Sequence, residues 1–222
     1  MNNISRLHYI TQDNVFGYTH AQLTEEVCMG GADWVQLRVK KKGYSEWKKI
    51  ALDVQKVCKK YKAKLIINDN VRIAKEISAD GVHLGKSDTD PAEARKILGE
   101  DFIIGGTAND FMDIEKLAAA DVDYIGLGPF RFTKTKENLS PVLGIEGFKN
   151  ILAACQESKI AIPVIAIGGI LLEDIGKLVN TGVYGVAVSS GINQAEDKEE
   201  MFRLYQTTIS KNTSKTKVTK PR

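Results

Sequence analysis

Eight short apolar runs, alternating with segments of helical periodicity, constrain this chain more than any other feature of its sequence. The runs are LHYIT, WVQLR, KLIIN, GVHL, FIIGG, YIGLG, PVIAIG and GVAVSS, each four to six residues long. That length and the β-branched content suit strands. The segments HAQLTEEVCM, SEWKKIALDVQKVCKKY, VRIAKEI, DPAEARKIL, FMDIEKLAAA, GIEGFKNILAACQES, LLEDIGKLVN and KEEMFRLYQTTI space apolar residues three and four apart, as one face of a helix requires. Eight βα units in one domain predict an α/β fold closed as a TIM (β/α)8 barrel. An open doubly wound sheet would want a glycine-rich phosphate turn after its first strand, and YITQDNVFGYTH has no GxGxxG. A weak repeat agrees with the barrel: GGADWVQL, SADGVHL, AADVDYIGL and TGVYGVAV set small or acidic residues just before a strand.

With 222 residues the chain can bury one substantial core, so a single domain is expected over 1–210. Residues 211–222, lysine-rich and without periodicity, read as a basic, disordered C-terminal tail. The chain carries 31 basic and 28 acidic side chains, a net +3, and the tail holds several of the positive charges. A near-neutral body argues against broad nucleic-acid binding. Cys28, Cys58 and Cys155 have no metal or disulfide spacing and read as buried free thiols. The N-terminus lacks the pattern of a signal peptide, and no apolar run approaches the roughly 18 residues of a membrane span. A cytoplasmic protein without a membrane partner is expected. A homo-oligomer remains compatible with the sequence.

In such a barrel, chemistry belongs to the loops at the C-terminal strand ends. Polar residues collect there: Arg38 and Lys40 after the second strand, Asn68 and Asp69 after the third, Asp88 after the fourth, Thr107 after the fifth. In WVQLRVK, alternation aims Val35, Leu37 and Val39 towards the helices and Gln36, Arg38 and Lys40 towards the barrel mouth. A guanidinium and an ammonium together suit phosphate oxygens, although a strand end fraying before KKKG would carry the same charges. Asp69 and Asp88 could share an octahedral, oxygen-loving ion such as Mg2+, or each could cap the helix that follows. Gly168 and Gly169 after the seventh strand, with Ser189 and Ser190 after the eighth, suit a phosphate cradle or a simple glycine turn. The sixth strand is followed by GPFRFTKTKENLSP, too long for an ordinary βα connection, and reads as a lid or clamp. Within it Arg131 and Lys134 are read as solvated neighbours of Thr133, Thr135 and Lys136. His83 is expected to fill the barrel beneath the site.

Taken in order, GADWVQLRVK, LIINDN, ADGVHLG with Asp88, YIGLGP, TKTK and PVIAIGGI resemble the thiamine phosphate synthase family across nearly the whole chain except the tail. The resemblance implies a transferase. It would join a pyrimidine methyl diphosphate to a thiazole ethyl phosphate, with release of diphosphate. It also implies roles. Gln36, Arg38, Lys40 and Asn68 would hold the pyrimidine diphosphate, and Asp69 and Asp88 the Mg2+. Thr107 stands where the family has a serine on the diphosphate, Thr133 and Thr135 match the loop threonines, and Lys136 matches the diphosphate lysine. Gly169, Ser189 and Ser190 correspond to the thiazole-phosphate site. The chain departs from the family pattern at Val39 (usually glutamate), Phe132 (proline), Asn109 (histidine) and Ser189 (valine). A related thiazole tautomerase would not need Asp69, Asp88 and Lys136, and a non-enzymatic ligand-binding barrel could dispense with the carboxylates; all three are present.

Overall fold

The structure, a computed structural model, describes residues 3–13, 15–133 and 140–218, the last four by their backbone alone. Among them, eight strands alternate with helices: β1 (Leu7–Ile10), α1 (His20–Met29), β2 (Trp34–Leu37), α2 (Tyr44–Tyr61), β3 (Lys64–Asn68), α3 (Val71–Ile77), β4 (Gly81–Leu84) and α4 (Pro91–Leu98) form the first half. The second half is β5 (Ile103–Ala108), α5 (Phe111–Ala119), β6 (Tyr124–Leu127), α6 (Gly144–Glu157), β7 (Val164–Ile167), α7 (Ile175–Asn180), β8 (Gly185–Val188), α8 (Ser190–Asn193) and α9 (Lys198–Val218). Each strand pairs in parallel with the next, and β8 returns to β1 with Leu7 opposite Val186, closing the barrel. Closure removes every sheet edge, which an open sheet would leave exposed. The single-domain TIM barrel read from the alternation is the fold.

Side-chain alternation divides the core into two layers. Val35, Leu37 and Val39 pack outward among the helices, as expected. Trp34, Ile66, Ile103, Tyr124 and Ile165 point inward and fill the barrel. There His8 stacks on Trp34 with ring centroids 4.3 Å apart, and Tyr124 meets both rings edge-on. Space for Tyr124 comes from β5: a Cβ on Gly105 would lie 2.2 Å from its Cζ. This aromatic layer fills the barrel interior.

The acidic residues of the repeat have a specific task. Asp80 and Asp123 each accept the backbone N–H of the second residue of the preceding strand, from Leu65 and Ile104 respectively, both at 2.8 Å. A buried backbone N–H near a strand start needs such a partner. The helix starts are equally explicit. Asn70 caps α3 through Ile73 N–H at 2.9 Å, and Asp90 caps α4 through Ala92 N–H at 2.9 Å.

Helix α9 runs to Val218, so residues 211–218 of the expected disordered tail are helical, and 219–222 lie outside the described residues. The side chains of Thr213 and Asn212 donate back one turn, to Ile209 O at 3.0 Å and Thr208 O at 2.8 Å, across the boundary expected at 210. The three cysteines are free and buried. Among the described residues no helix is long and apolar enough to cross a membrane.

Candidate active site

The loops at the C-terminal strand ends enclose a cavity of about 490 Å3. Its wall contains Gln36, Arg38, Lys40, Asn68, Asp69, Asp88, Thr107, Thr133, Gly169, Ser189 and Ser190. These are all the expected site residues that the structure describes; Thr135 and Lys136 lie outside the described residues, as does most of the clamp expected at TKTKEN.

One wall is built by β2 to β4. Gln36 Nε2 donates to Asn68 Oδ1 at 3.4 Å, and both residues are buried. Lys40, at the exposed rim, donates from Nζ to Asp69 Oδ2 at 2.8 Å. The backbone that carries the two cations is held from the segment after β1: Arg38 N–H donates to Thr11 Oγ1, and Lys40 N–H to Asp13 Oδ2, both at 3.0 Å. Asp13 in turn lies 3.1 Å from His20 Nε2. Sequence reading passed over Thr11 and Asp13; the polar TQD after the first strand was the available signal.

Asp69 takes a left-handed φ of +68° and donates its N–H to His83 O at 2.8 Å. Asp88 accepts from Gly85 N–H at 2.7 Å. Because Asn70 and Asp90 do the helix capping, both aspartates remain available to the cavity. Burial pushes the Asp88 carboxyl above the ordinary carboxylate range; the Gly85 N–H opposes the shift, the adjacent Asp69 carboxylate adds to it, and Lys40 opposes it. Two carboxylates pressed together in this way are relieved by a cation between them. No cluster of three or more His, Cys, Asp or Glu suited to a metal occurs among the described residues. The Asp69–Asp88 pair matches the one or two carboxylates that Mg2+ commonly takes, water and substrate phosphate completing its shell.

Thr107 is oriented from below. Its Oγ1 lies 3.0 Å from His83 Nε2, and His83 Nδ1 lies 3.0 Å from the Tyr124 hydroxyl. His83, expected to fill the barrel beneath the site, is itself part of the cavity wall and links the aromatic floor to a cavity hydroxyl.

The opposite wall joins β6, β7 and β8. Gly168 and Gly169 have φ of +100° and +67°, a region that L side chains rarely adopt. Ser189 and Ser190 stand at the start of the short α8, where the N–H groups of Ile192 and Asn193 donate to Ser189 O at 3.0 and 2.9 Å. Asn193, fully buried, anchors α8 to the barrel: its Nδ2 donates to Ile10 O at 2.9 Å and to Ser189 Oγ at 3.2 Å, while its Oδ1 accepts from the Tyr9 hydroxyl. Neither Tyr9 nor Asn193 was singled out from the sequence.

Two further outcomes concern charged or polar neighbours. Arg131, expected to be solvated, instead makes a two-pronged ion pair with Asp174 at 2.8 and 2.9 Å. Asp174 is 3% exposed, and a buried carboxylate needs such a partner. Asn109, where the family pattern has histidine, donates from Nδ2 to Gly128 O at 2.6 Å and so ties the fifth loop to the sixth. Lys86 also lines the cavity, paired with Asp113.

The family model for thiamine monophosphate synthase matches residues 7–192. A thiamine-phosphate synthase of Bacteroides fragilis is 50% identical over 194 residues, covering 87% of this chain and 95% of that protein. One from Flavobacterium johnsoniae is 46% identical over 199 residues, covering 90% and 93%. Among solved structures, thiamine phosphate pyrophosphorylase from Pyrococcus furiosus superposes with a TM-score of 0.82 at 28% identity, over 93% of this chain and 96% of that one. A closed barrel with two polar walls facing one mouth, matched along this length, leads to one conclusion: the chain belongs to the thiamine monophosphate synthase family.

Proposed function

We propose that this enzyme is a transferase that joins 4-amino-2-methyl-5-(diphosphooxymethyl)pyrimidine to a thiazole ethyl phosphate, giving thiamine phosphate and diphosphate. The observation that carries the reading is the pairing of two unlike walls in one cavity. Asp69, Asp88, Arg38 and Lys40 lie on one side, and the Gly168–Gly169 turn with Ser189 and Ser190 on the other. The first suits a metal-bound diphosphate and the second a monophosphate.

A divalent cation between Asp69 and Asp88 would neutralise charge on the diphosphate. Arg38 and Lys40 would add fixed positive charge as the carbon–oxygen bond stretches. Charge on the leaving group grows towards the transition state, so these contacts strengthen as the reaction proceeds and lower its barrier. The thiazole nitrogen then captures the pyrimidine methylene carbon, a step that needs no base from the protein. Consistent with this, the cavity is rich in cations and hydroxyls. Gln36 and Asn68 would orient the pyrimidine side, and Thr107 and Thr133 would offer hydroxyls to the diphosphate. By family resemblance Thr135 and Lys136 belong to the same group.

The test is direct: the purified protein, given both phosphorylated substrates and Mg2+, forms thiamine phosphate, identified by mass spectrometry. Absence of product above a protein-free control overturns the reading.

A further inference from the structure

The Arg131–Asp174 pair lies behind the glycine turn, and neither side chain lines the cavity. Its contacts nevertheless govern what the turn can present. Arg131 Nη1 donates to Gly169 O at 2.9 Å, and Arg131 N–H donates to Gly168 O at 2.9 Å. Both carbonyls of the turn are thereby engaged by one residue. Asp174 Oδ2 accepts Leu171 N–H at 2.8 Å while it receives Arg131. In a trans peptide the C=O and the following N–H point in opposite directions. With Gly169 O drawn towards Arg131, the N–H of Ile170 is turned the other way, and Ile170 lies in the cavity wall.

Packing makes the arrangement specific. A Cβ on Gly169 would come within 3.0 Å of Arg131 Cβ, and one on Gly168 within 2.8 Å of Pro129 Cα. The start of the sixth loop lies directly against the glycine turn. A carbonyl oxygen released from Arg131 could face a bound phosphate and repel it. The guanidinium, neutralised by a buried carboxylate, contributes through the backbone it holds and not through its own charge on the ligand.

We propose that Arg131 and Asp174 are positioning residues that hold the glycine turn in its anion-accepting form and so set the affinity of the synthase for its thiazole monophosphate. The identity of that ligand rests on the function proposed above. The experiment is steady-state kinetics with each substrate varied in turn, for the unaltered enzyme and for Arg131→Ala, Arg131→Lys and Asp174→Asn, with melting temperatures recorded alongside.

Arg131→Ala is expected to raise the KM for the thiazole phosphate by about tenfold or more and to leave the KM for the pyrimidine diphosphate within about twofold. Arg131→Lys recovers part of the loss, because an ammonium can hold Gly169 O or Asp174 but lacks the planar fork for both. Should Arg131→Ala fail to fold, Arg131→Lys carries the same comparison. Unchanged KM values, equal rises in both, or a fall in kcat alone would overturn the proposal. If the unaltered enzyme makes no thiamine phosphate, the functional reading fails separately. Inorganic phosphate binding by calorimetry then tests the pair: weakening in Arg131→Ala supports it and unchanged binding overturns it.

Discussion

Asp69 and Asp88 show how one position decides a residue's task. Each precedes a helix, and the sequence alone allowed either capping or metal binding. The structure gives capping to Asn70 and Asp90, so removal of Asp69 should spare folding and impair metal use. Asp69→Asn, whose side chain tolerates the left-handed φ of this position, is expected to melt near the unaltered protein but to lose about tenfold or more in turnover at limiting Mg2+, with partial recovery as Mg2+ is raised. Unchanged turnover across the Mg2+ titration would remove Asp69 from the metal site.

His8 offers a second residue-scale test. Burial first, and then the nearby His83, hold its imidazole down to about 3 from an ordinary 6.5, against a backbone contact with Ser5 that raises it. The unfolded chain therefore binds a proton below pH 6.5 that the folded chain refuses until about pH 3. Stability attached to His8 is complete above the unfolded value and falls as the pH is lowered. The loss is about 2 kcal/mol on going from pH 7 to pH 5. His8→Phe, which keeps a ring on Trp34, should flatten this part of the pH profile in urea unfolding. An equally steep profile in the variant would assign the acid sensitivity elsewhere. The position of His8 within an inward-facing stack was not legible, because one apolar strand does not say which rings arrive from the others.

At the scale of the element, the boundaries of strands and helices were largely readable because periodicity and caps coincide. The expected α1 and α3 segments, HAQLTEEVCM and VRIAKEI, are the helices observed at those positions. The acidic positions of the repeat were visible, but their purpose required the neighbouring strand. Asp123 accepts Ile104 N–H and pairs with Arg95 at 2.7 Å. Asp123→Ala should therefore destabilise the fold by about 1–3 kcal/mol in urea unfolding while leaving both KM values unaltered. A stability change near zero would mean that solvent replaces the carboxylate at the strand start. Arg131 illustrates the opposite case. Within a run of lysines and threonines it resembled a solvated charge, and its partner Asp174 lies 43 positions further along. Local pattern carries no trace of such a pair. The C-terminal extension of α9 was missed for a related reason: the segment has no apolar periodicity of its own and continues a helix already nucleated by packing.

For the whole molecule, eight alternating units determined the closed barrel, and closure brought Arg38, Asp69, Asp88, Thr107, Gly169 and Ser190 onto one cavity from widely separated positions. Candidate residues were legible as polar punctuation after strands. Their grouping into a diphosphate side and a phosphate cradle was legible from strand order and resemblance; the contacts that hold each wall, such as Thr11 and Asp13 behind Arg38 and Lys40, were not. The function proposed above ties the two walls together: diphosphate that leaves one is matched by thiamine phosphate formed with the nitrogen held at the other. A single-turnover reaction, with enzyme in excess over the pyrimidine diphosphate and thiazole phosphate saturating, measures this most directly. Thiamine phosphate and diphosphate should appear in equal amounts and at the same rate. Diphosphate released without matching thiamine phosphate, or no release of either, would contradict the account.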